Sequence, residues 1–190
     1  MKADQFKNKL NAFSAALVSE LPVVEEKVCM NSFALIKDRI INEGTKASGA
    51  SLGSYSENEL PLFFYSGKSL NSGGEKALAK AKKEQKGLSY KDFREANNRP
   101  TDHKTFSFSG QMWADIGVVK QIQDGVRITT IVGARNTKTR TSGSRSITTD
   151  DIMSGLADTH GDFLTLSAAE EKRTEATYDA ELQKLIDKYF

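Results

Sequence analysis

Apolar side chains recur at helical spacing through the first forty residues. The first stripe has spacings of four, three and four residues, the period of an amphipathic helix, and comprises Phe6, Leu10, Phe13 and Leu17. Pro22 interrupts the pattern and predicts the end of a first helix. A second apolar stripe over 24–40 stops at Gly44, a residue that suits the left-handed position after a helix. The chain is therefore expected to open with two helices.

The centre of the chain predicts a β-hairpin. Asp124-Gly125 separates two apolar-rich segments, 117–123 and 126–133, and tolerates the positive φ of a two-residue turn. With that turn, Gln121 is expected opposite Ile128, and both faces of the hairpin are partly apolar. Helices are expected to cover one face, and a further surface, such as another subunit, is expected to cover the other.

The segment between the helices and the hairpin has a different composition. Gly and Ser dominate 45–56, which predicts a loop. The apolar group 60–65 contains Pro61, which favours an edge strand or a packed loop over a central strand. Four lysines lie among good helix formers in 75–85, which predicts a solvated helix. Phe106 begins an alternation of aromatic residues and serines that is typical of a half-buried strand.

Capping residues mark two helices near the end of the chain. Residues 136–146 form a polar loop of low complexity, and Thr148 then precedes a short helix through Ala157. Ser167 and Glu170 form a capping box that starts a final helix at Ala168. The apolar stripe of this helix is expected to face the core and comprises Tyr178, Leu182, Leu185, Ile186 and Tyr189.

These elements predict an α+β fold in which a small antiparallel sheet with a central β-hairpin packs against N-terminal and C-terminal helices, with an inserted loop and helix region. The chain is expected to be one domain over 1–190. Its parts are the N-terminal helices 1–44, an insertion with a loop and a basic helix 45–104, the sheet core 105–133, a flexible basic loop 134–149 and the C-terminal helices 150–190.

Composition limits the classes of function. A formal charge of +2 over 190 residues provides no global field for DNA, so any nucleic-acid contact must be local. The single cysteine, Cys29, excludes an internal disulfide, and two histidines leave too few ligands for a typical structural zinc site. We find neither a signal peptide nor a membrane span, and we expect assembly in a bacterial cytoplasm or in a particle built there.

Three short segments resemble those of a phage protein family. Residues 109–116 read Ser-Gly-Gln-Met-Trp-Ala-Asp-Ile, Val132-Gly133 ends the hairpin, and 162–167 read Asp-Phe-Leu-Thr-Leu-Ser. Their order resembles that of tailed-bacteriophage neck and tail-completion (head-tail connector) proteins and the related virion morphogenesis proteins of Mu-like phages. Gln111 stands where that family usually has a basic residue, Asp162 stands where it has proline, and 45–104 is an insertion.

The resemblance implies a structural, non-enzymatic virion protein at the head-to-tail junction. Such a subunit joins copies of itself into a ring and contacts portal or adaptor and tail proteins. A ring needs two different complementary patches on each subunit. We expect the outer face of the hairpin to take part, together with Leu62, Phe63, Phe64, Tyr65, Met112, Trp113, Tyr189 and Phe190. The alternative is a DNA-binding or packaging accessory protein of a phage.

A cluster of cations follows the hairpin: Arg135, Lys138, Arg140 and Arg145. These residues could contact DNA phosphates in the channel of a ring, or a neighbouring protein. A solvated loop explains the same composition, as does a loop that becomes ordered on docking.

Catalysis and cofactor binding have little support in the sequence. His103 beside Asp102, and His160 near Asp158 and Asp162, are the two places where an acid–base or metal site could be drawn. A turn at Gly161 explains the His160 group as capping and turn residues and is preferred to a metal or catalytic site. Cys29 lies on an apolar helix stripe, where an unreactive thiol is expected. We therefore predict no enzyme activity, no cofactor and no metal.

Overall fold

The computed structural model describes residues 3–65, 70–107, 110–136, 140–142, 145–161 and 163–190. The helices are α1 (Ala3–Asp38), α2 (Ser72–Glu84), α3 (Tyr90–Ala96), α4 (Gln111–Ala114), α5 (Thr149–His160) and α6 (Ala168–Tyr189), with a π-helical turn Arg39–Glu43 and a 3-10 helix Leu62–Tyr65. The strands are β1 (Glu59–Leu60), β2 (Leu88–Ser89), β3 (Ile116–Asp124), β4 (Arg127–Ala134), β5 (Arg140–Ser142) and β6 (Arg145–Ile147). They form three antiparallel pairs, β1–β2, β3–β4 and β5–β6.

Helix α1 is continuous through Pro22, so the prediction of two separate helices is wrong. Proline has no N–H to donate to the carbonyl four residues earlier, here that of Val18. The side chain of Gln123 provides the missing donor, since its Nε2 lies 2.6 Å from the Val18 oxygen. Gln121 donates in the same way to the carbonyl of Pro22, at 2.8 Å. The hairpin thus supplies a hydrogen bond that proline removes from the helix.

Gly44 ends the first helical segment, as predicted. Its φ is 64°, and its N–H donates to the Arg39 carbonyl at 3.0 Å, which closes the π-helical turn. A Cβ at this position would lie 2.3 Å from Cγ of His103, so only glycine fits both the backbone angle and the space. The His103 ring is fixed there because its Nε2 lies 2.7 Å from the Ile41 carbonyl oxygen.

Helix α6 packs antiparallel along α1. Polar contacts run the length of the pair, from Arg39 with Glu170 at 2.9 Å to Lys9 with the Phe190 carbonyl oxygen at 3.4 Å. The apolar seam between them buries Ala16, Val24, Val28 and Leu185, with Phe13, Tyr178 and Tyr189 packed against it. The capping box of Ser167 and Glu170 is present as predicted, whereas Ile186, which was expected to face the core, is 39% exposed because it lies outside this seam.

The main core lies where α1, the base of the hairpin and the loop after α5 meet. It buries Ile36, Ile40, Leu52, Met112, Trp113, Ile116 and Phe163. The indole N–H of Trp113 donates to the Thr105 carbonyl at 3.2 Å. Met112 and Trp113 are therefore interior residues of this chain and do not form the subunit interface predicted for them.

The β3–β4 hairpin is confirmed, with a different register. Asp124 pairs with Arg127, so Gly125 and Val126 form the turn, and Gln121 pairs with Thr130 instead of Ile128. Gly125 has a φ of 61° at the first turn position, where a type II′ turn takes glycine. A shift of two residues keeps the faces of the distal half unchanged.

Other local predictions have mixed outcomes. Thr105–Ser107 form no strand, because Phe106 has a φ of 51° and bends the chain. The polar segment predicted as a flexible loop contains the paired strands β5 and β6. The lysine-rich helix is present as α2, and its lysines are exposed. The α+β class with a hairpin between N- and C-terminal helices is confirmed. None of the helices in the described ranges has an apolar stretch long enough to cross a bilayer.

The Gln123 bond should show energetic coupling to Pro22. Gln123→Ala is expected to reduce the free energy of unfolding by about 1 kcal/mol, because the Val18 carbonyl loses its donor. In a Pro22→Ala background the new backbone N–H supplies that donor, and the cost of Gln123→Ala should fall well below this value. Urea denaturation of the four proteins measures the coupling. Equal costs in both backgrounds would contradict the proposed role of Gln123.

The buried pair of Arg39 and Glu170 should make stability depend on pH. Burial raises the pKa of Glu170, but the Ser167 backbone N–H and the Arg39 guanidinium outweigh it, so the pKa lies below its ordinary value of 4.5. A lowered folded-state pKa stabilises the fold above about pH 4.5, and this stabilisation is lost as the pH falls through the folded value. At neutral pH, Glu170→Gln leaves Arg39 buried without its counter-charge and should cost about 3 kcal/mol.

Urea unfolding of wild type and Glu170→Gln from neutral pH down to about pH 3 tests this dependence. The difference in stability between the two proteins should shrink below about pH 4.5. Glu171→Gln, a change at the neighbouring exposed position, is the matched control and should shift stability little at any pH. A difference that stays constant with pH would contradict the assigned linkage.

Candidate assembly surface

The outward face of the β3–β4 hairpin has exposed apolar side chains among charged and polar ones. On β4 the side chains of Ile128, Thr130 and Val132 are half-buried towards α1, while Ile131 between them is 43% exposed. On β3, Ile122 lies on the same face as Lys120 and is 47% exposed. Branched aliphatic side chains that face water in neighbouring strands form a continuous patch of the type found at protein interfaces.

A bulge and the turn extend this patch. The register shifts between Val118 and Lys120, which leaves Val119 without a pairing partner on β4. Val119 is 46% exposed, and Val126 in the turn is 61% exposed. We call the outward side chains of Val119, Ile122, Val126 and Ile131 the hairpin patch.

Both strands of the hairpin have an open edge. In the part of the chain that the structure covers, β3 and β4 pair with each other and with no third strand. Each strand therefore presents a row of backbone donors and acceptors away from its partner, and such a row readily pairs with another strand. An isolated two-stranded ribbon is marginally stable, and a third strand or a packed face is usually needed. Helix α1 covers one face, and the other face and the edges remain available.

Charged side chains at the tip of the ribbon are complementary. Asp124 lies directly opposite Arg127, and Lys120 lies opposite Ile131. Opposite charges on facing strands stabilise a register, and like charges disfavour it. Asp124 and Arg127 are therefore also placed to set the register of a second copy's hairpin that pairs with this one.

The predicted interface residues of the 60–65 group divide into two sets. Phe63 and Phe64 are 69% and 51% exposed, and their rings stack with centroids 4.4 Å apart. Tyr65 is buried, stacks on Phe93 and donates its hydroxyl to the Leu88 carbonyl at 2.6 Å, which removes it from the interface prediction. Leu62 is half-buried beside them.

The terminal aromatics close the end of the α1–α6 pair. Tyr189 is half-buried and shares Glu20 with Lys188. Phe190 is 46% exposed and packs edge-on against Phe13 at 5.5 Å. Their predicted contact with a neighbouring subunit stays a prediction.

The described members of the predicted cation cluster lie in three places, at the base of the β3–β4 hairpin and on β5 and β6. Arg135 lies at the base of the hairpin and donates to the Ala114 carbonyl at 2.8 Å. Arg140 and Arg145 lie on opposite strands, β5 and β6. Lys138 lies outside the described residues. Contact of these cations with DNA or a partner stays a prediction.

The two histidine sites have structural partners. His103 is hydrogen-bonded at Nδ1 to Asp102 at 2.8 Å and at Nε2 to the Ile41 carbonyl, so both ring nitrogens hold the turn beside Gly44. His160 packs against Phe106, with ring centroids 5.0 Å apart. Asp162 lies outside the described residues. No group of three or more His, Cys, Asp or Glu side chains in the described ranges is placed to hold a metal ion.

Cys29 lies on the wall of an apolar cavity of about 400 Å³ between α1, β4 and α6. Burial, together with the neighbouring Glu25 carboxylate, raises the pKa of the Cys29 thiol. The thiolate is therefore disfavoured at neutral pH, as expected for an unreactive cysteine.

Sequence reasoning missed several residues that position this surface. Gln121 was expected only opposite the facing strand, and nothing in the spacing of Gln121 and Gln123 indicates that both donate to helix carbonyls. Arg94, which follows Phe93 in α3 and is buried, was not singled out either, because arginine is usually exposed and nothing in its sequence context indicates burial. Comparison with protein-family models, with curated proteins and with solved structures finds no match for this chain.

Proposed function

We propose that this chain is a non-enzymatic structural subunit of a tailed-phage virion, which forms a homo-oligomeric ring at the head-to-tail junction and links portal or adaptor proteins to the tail. The observation that carries the proposal is the β3–β4 hairpin, which packs on a long helix and has two open edges and the exposed aliphatic side chains of the hairpin patch. Open strand edges and exposed apolar side chains favour association of this protein with other copies of itself.

Edge-to-edge addition of hairpins gives a ring geometry. If β4 of one copy pairs antiparallel with β3 of the next in the register seen within the hairpin, Arg127 faces Asp124 of the neighbouring copy. Thr129 then faces Ile122, and Ile131 faces Lys120. Because the two joined edges differ, the contact is heterologous, and a rotation that closes generates a ring.

The remaining exposed aromatics support contacts with other layers of the particle. The stacked Phe63–Phe64 pair and the Phe6–Phe190 end of the helix pair belong to elements other than the hairpin. A subunit that joins its own copies through one surface and adjoining proteins through others needs several such patches. The net charge of the chain is near neutral, which favours protein partners over DNA. The experiments below also test the alternative, a DNA-binding accessory role.

Charge reversal at the tip tests the pairing of hairpins. Asp124→Arg and Arg127→Asp should each prevent oligomers, because each places like charges opposite one another in the neighbouring strand. An equimolar mixture of the two variants restores opposite charges at every contact of an alternating ring, and assembly should return. Sedimentation velocity of wild type, each variant and the mixture measures the outcome, with Val23→Glu on exposed α1 as the control.

Each variant also places like charges opposite one another within its own hairpin, so circular dichroism and thermal denaturation first establish that both variants remain folded. Failure of the folded mixture to assemble when wild type assembles would contradict this pairing of strands. The virion role has a separate measurement, namely labelling of purified particles of the encoding phage with an antibody against this chain. Label at the neck is expected. A monomer at all concentrations that is absent from particles, or that binds DNA tightly and loses this affinity when Arg135, Arg140 and Arg145 are neutralised, would overturn the proposal in favour of the accessory role.

A further inference from the structure

A second cavity, distant in sequence from the hairpin patch, contains cations and aromatic rings. Its volume is about 280 Å³, and its wall is formed by the insertion, the loop after it and helix α5. Tyr55, Tyr90 and Phe106 provide rings, and Arg94, Lys104 and His160 provide nitrogen groups. No aspartate or glutamate is among the described residues that line it.

Arg94 is a buried cation without a carboxylate partner in the described ranges. The side chain is 1% exposed. Three of its five N–H groups donate to neutral oxygens, at Pro100, Ser107 and Thr105, over 2.7 to 3.2 Å. The other two have no acceptor among the residues that the structure covers, and the guanidinium carbon lies 4.2 Å from the centre of the Tyr55 ring. A buried charge normally has an anionic partner, because burial without one is costly.

Lys104 adds a second positive charge at the cavity, beside a neutral histidine. Lys104 is half-buried and makes no ion pair with any described carboxylate. Burial, followed by the charges of Lys104 and Lys46, lowers the pKa of His160, so this histidine is neutral at physiological pH. The cavity is thus a small, partly dry space with uncompensated positive charge, and electrostatic attraction for an anion is strong in such a space.

The aromatic walls restrict the kind of anion. Tyr55 and Tyr90 meet edge to face at 5.5 Å, and Phe106 lies beside the His160 ring. Met112, Ile152 and Leu156 complete an apolar lining. A space of roughly 150 Å³ holds a benzene ring, so this cavity has room for one ring with an acidic group attached.

We infer that this cavity binds a small aromatic anion, a single ring bearing a carboxylate or a phosphate monoester. The ring packs between the tyrosines and the aliphatic lining, and the acidic group accepts hydrogen bonds from Lys104 and faces the unpaired N–H groups of Arg94. This site is independent of the proposed ring assembly, because none of its residues belongs to the hairpin patch.

Isothermal titration with phenyl phosphate and with benzoate tests the site, and distinguishes the two acidic groups. Benzyl alcohol and inorganic phosphate are the comparison probes, since they have the ring or the charge alone. At least one aromatic anion should bind about tenfold more tightly than both comparison probes, because one charge-assisted hydrogen bond has about that effect. The fluorescence of Trp113, the only tryptophan, should change on binding because its indole bonds to Thr105 beside the cavity.

Lys104→Gln should weaken binding of the anion about tenfold, while Lys86→Gln, an exposed lysine outside the cavity, should leave it unchanged. Thermal denaturation shows whether both variants remain folded. The assignment is overturned if neither aromatic anion binds, if benzyl alcohol or inorganic phosphate binds as tightly as the aromatic anions, or if folded Lys104→Gln binds like wild type.

Discussion

Continuity of helix α1 through Pro22 constrains the rest of the molecule. The hairpin, helix α6 and the main core all pack along this helix, so a break at Pro22 would change the angle between the two halves of the support. The hydrogen bond from Gln123 to the Val18 carbonyl links the helix to the tip of the hairpin. This one hydrogen bond therefore supports both the continuous path of α1 and the position of the hairpin on it.

The position of the hairpin patch follows from this arrangement. Because Gln121 and Gln123 face α1, the alternation of a strand turns Ile122 to solvent. The bulge at Val119 adds one further exposed side chain. The inner face of the distal ribbon thus combines Gln121 and Gln123 with half-buried Ile128, and the outer face exposes Ile122 and Ile131 among charged side chains. In the proposed ring this outer face stays open to adjoining proteins, because the copies join through the edges of their strands.

Features that depend on a few adjacent residues could be predicted from the sequence. Gly44 after α1, the Ser167–Glu170 capping box and the Asp124-Gly125 region each determine local backbone geometry. The continuous α1 could not be predicted, because the donor for its orphaned carbonyl lies 105 residues away. The prediction of the hairpin register was wrong, since Asp124-Gly125 and Gly125-Val126 both allow a two-residue turn and the sequence does not distinguish them.

Prediction of the functional surface was also limited, because burial depends on contacts between residues that are far apart in the sequence. Composition identifies apolar residues, but not which of them this chain buries itself. Trp113 and Phe64 are both large aromatics in irregular sequence, yet Trp113 lies in the core and Phe64 is exposed. The aromatic cavity combines residues from Tyr55 to His160, whose proximity depends on the insertion folding against α5. No spacing rule relates residues so far apart.

The antiparallel pairing of α1 with α6 has a consequence for how the protein reaches its native state. Lys9 and Phe190, 181 positions apart, meet at one end of this pair, so α1 can bury its apolar stripe against α6 only after both helices have been synthesised. Contacts between such remote segments carry a large loop-closure entropy and slow the search for the native topology. Nascent chains therefore expose the α1 stripe until α6 has left the ribosome, and chaperone binding during translation should centre on α1.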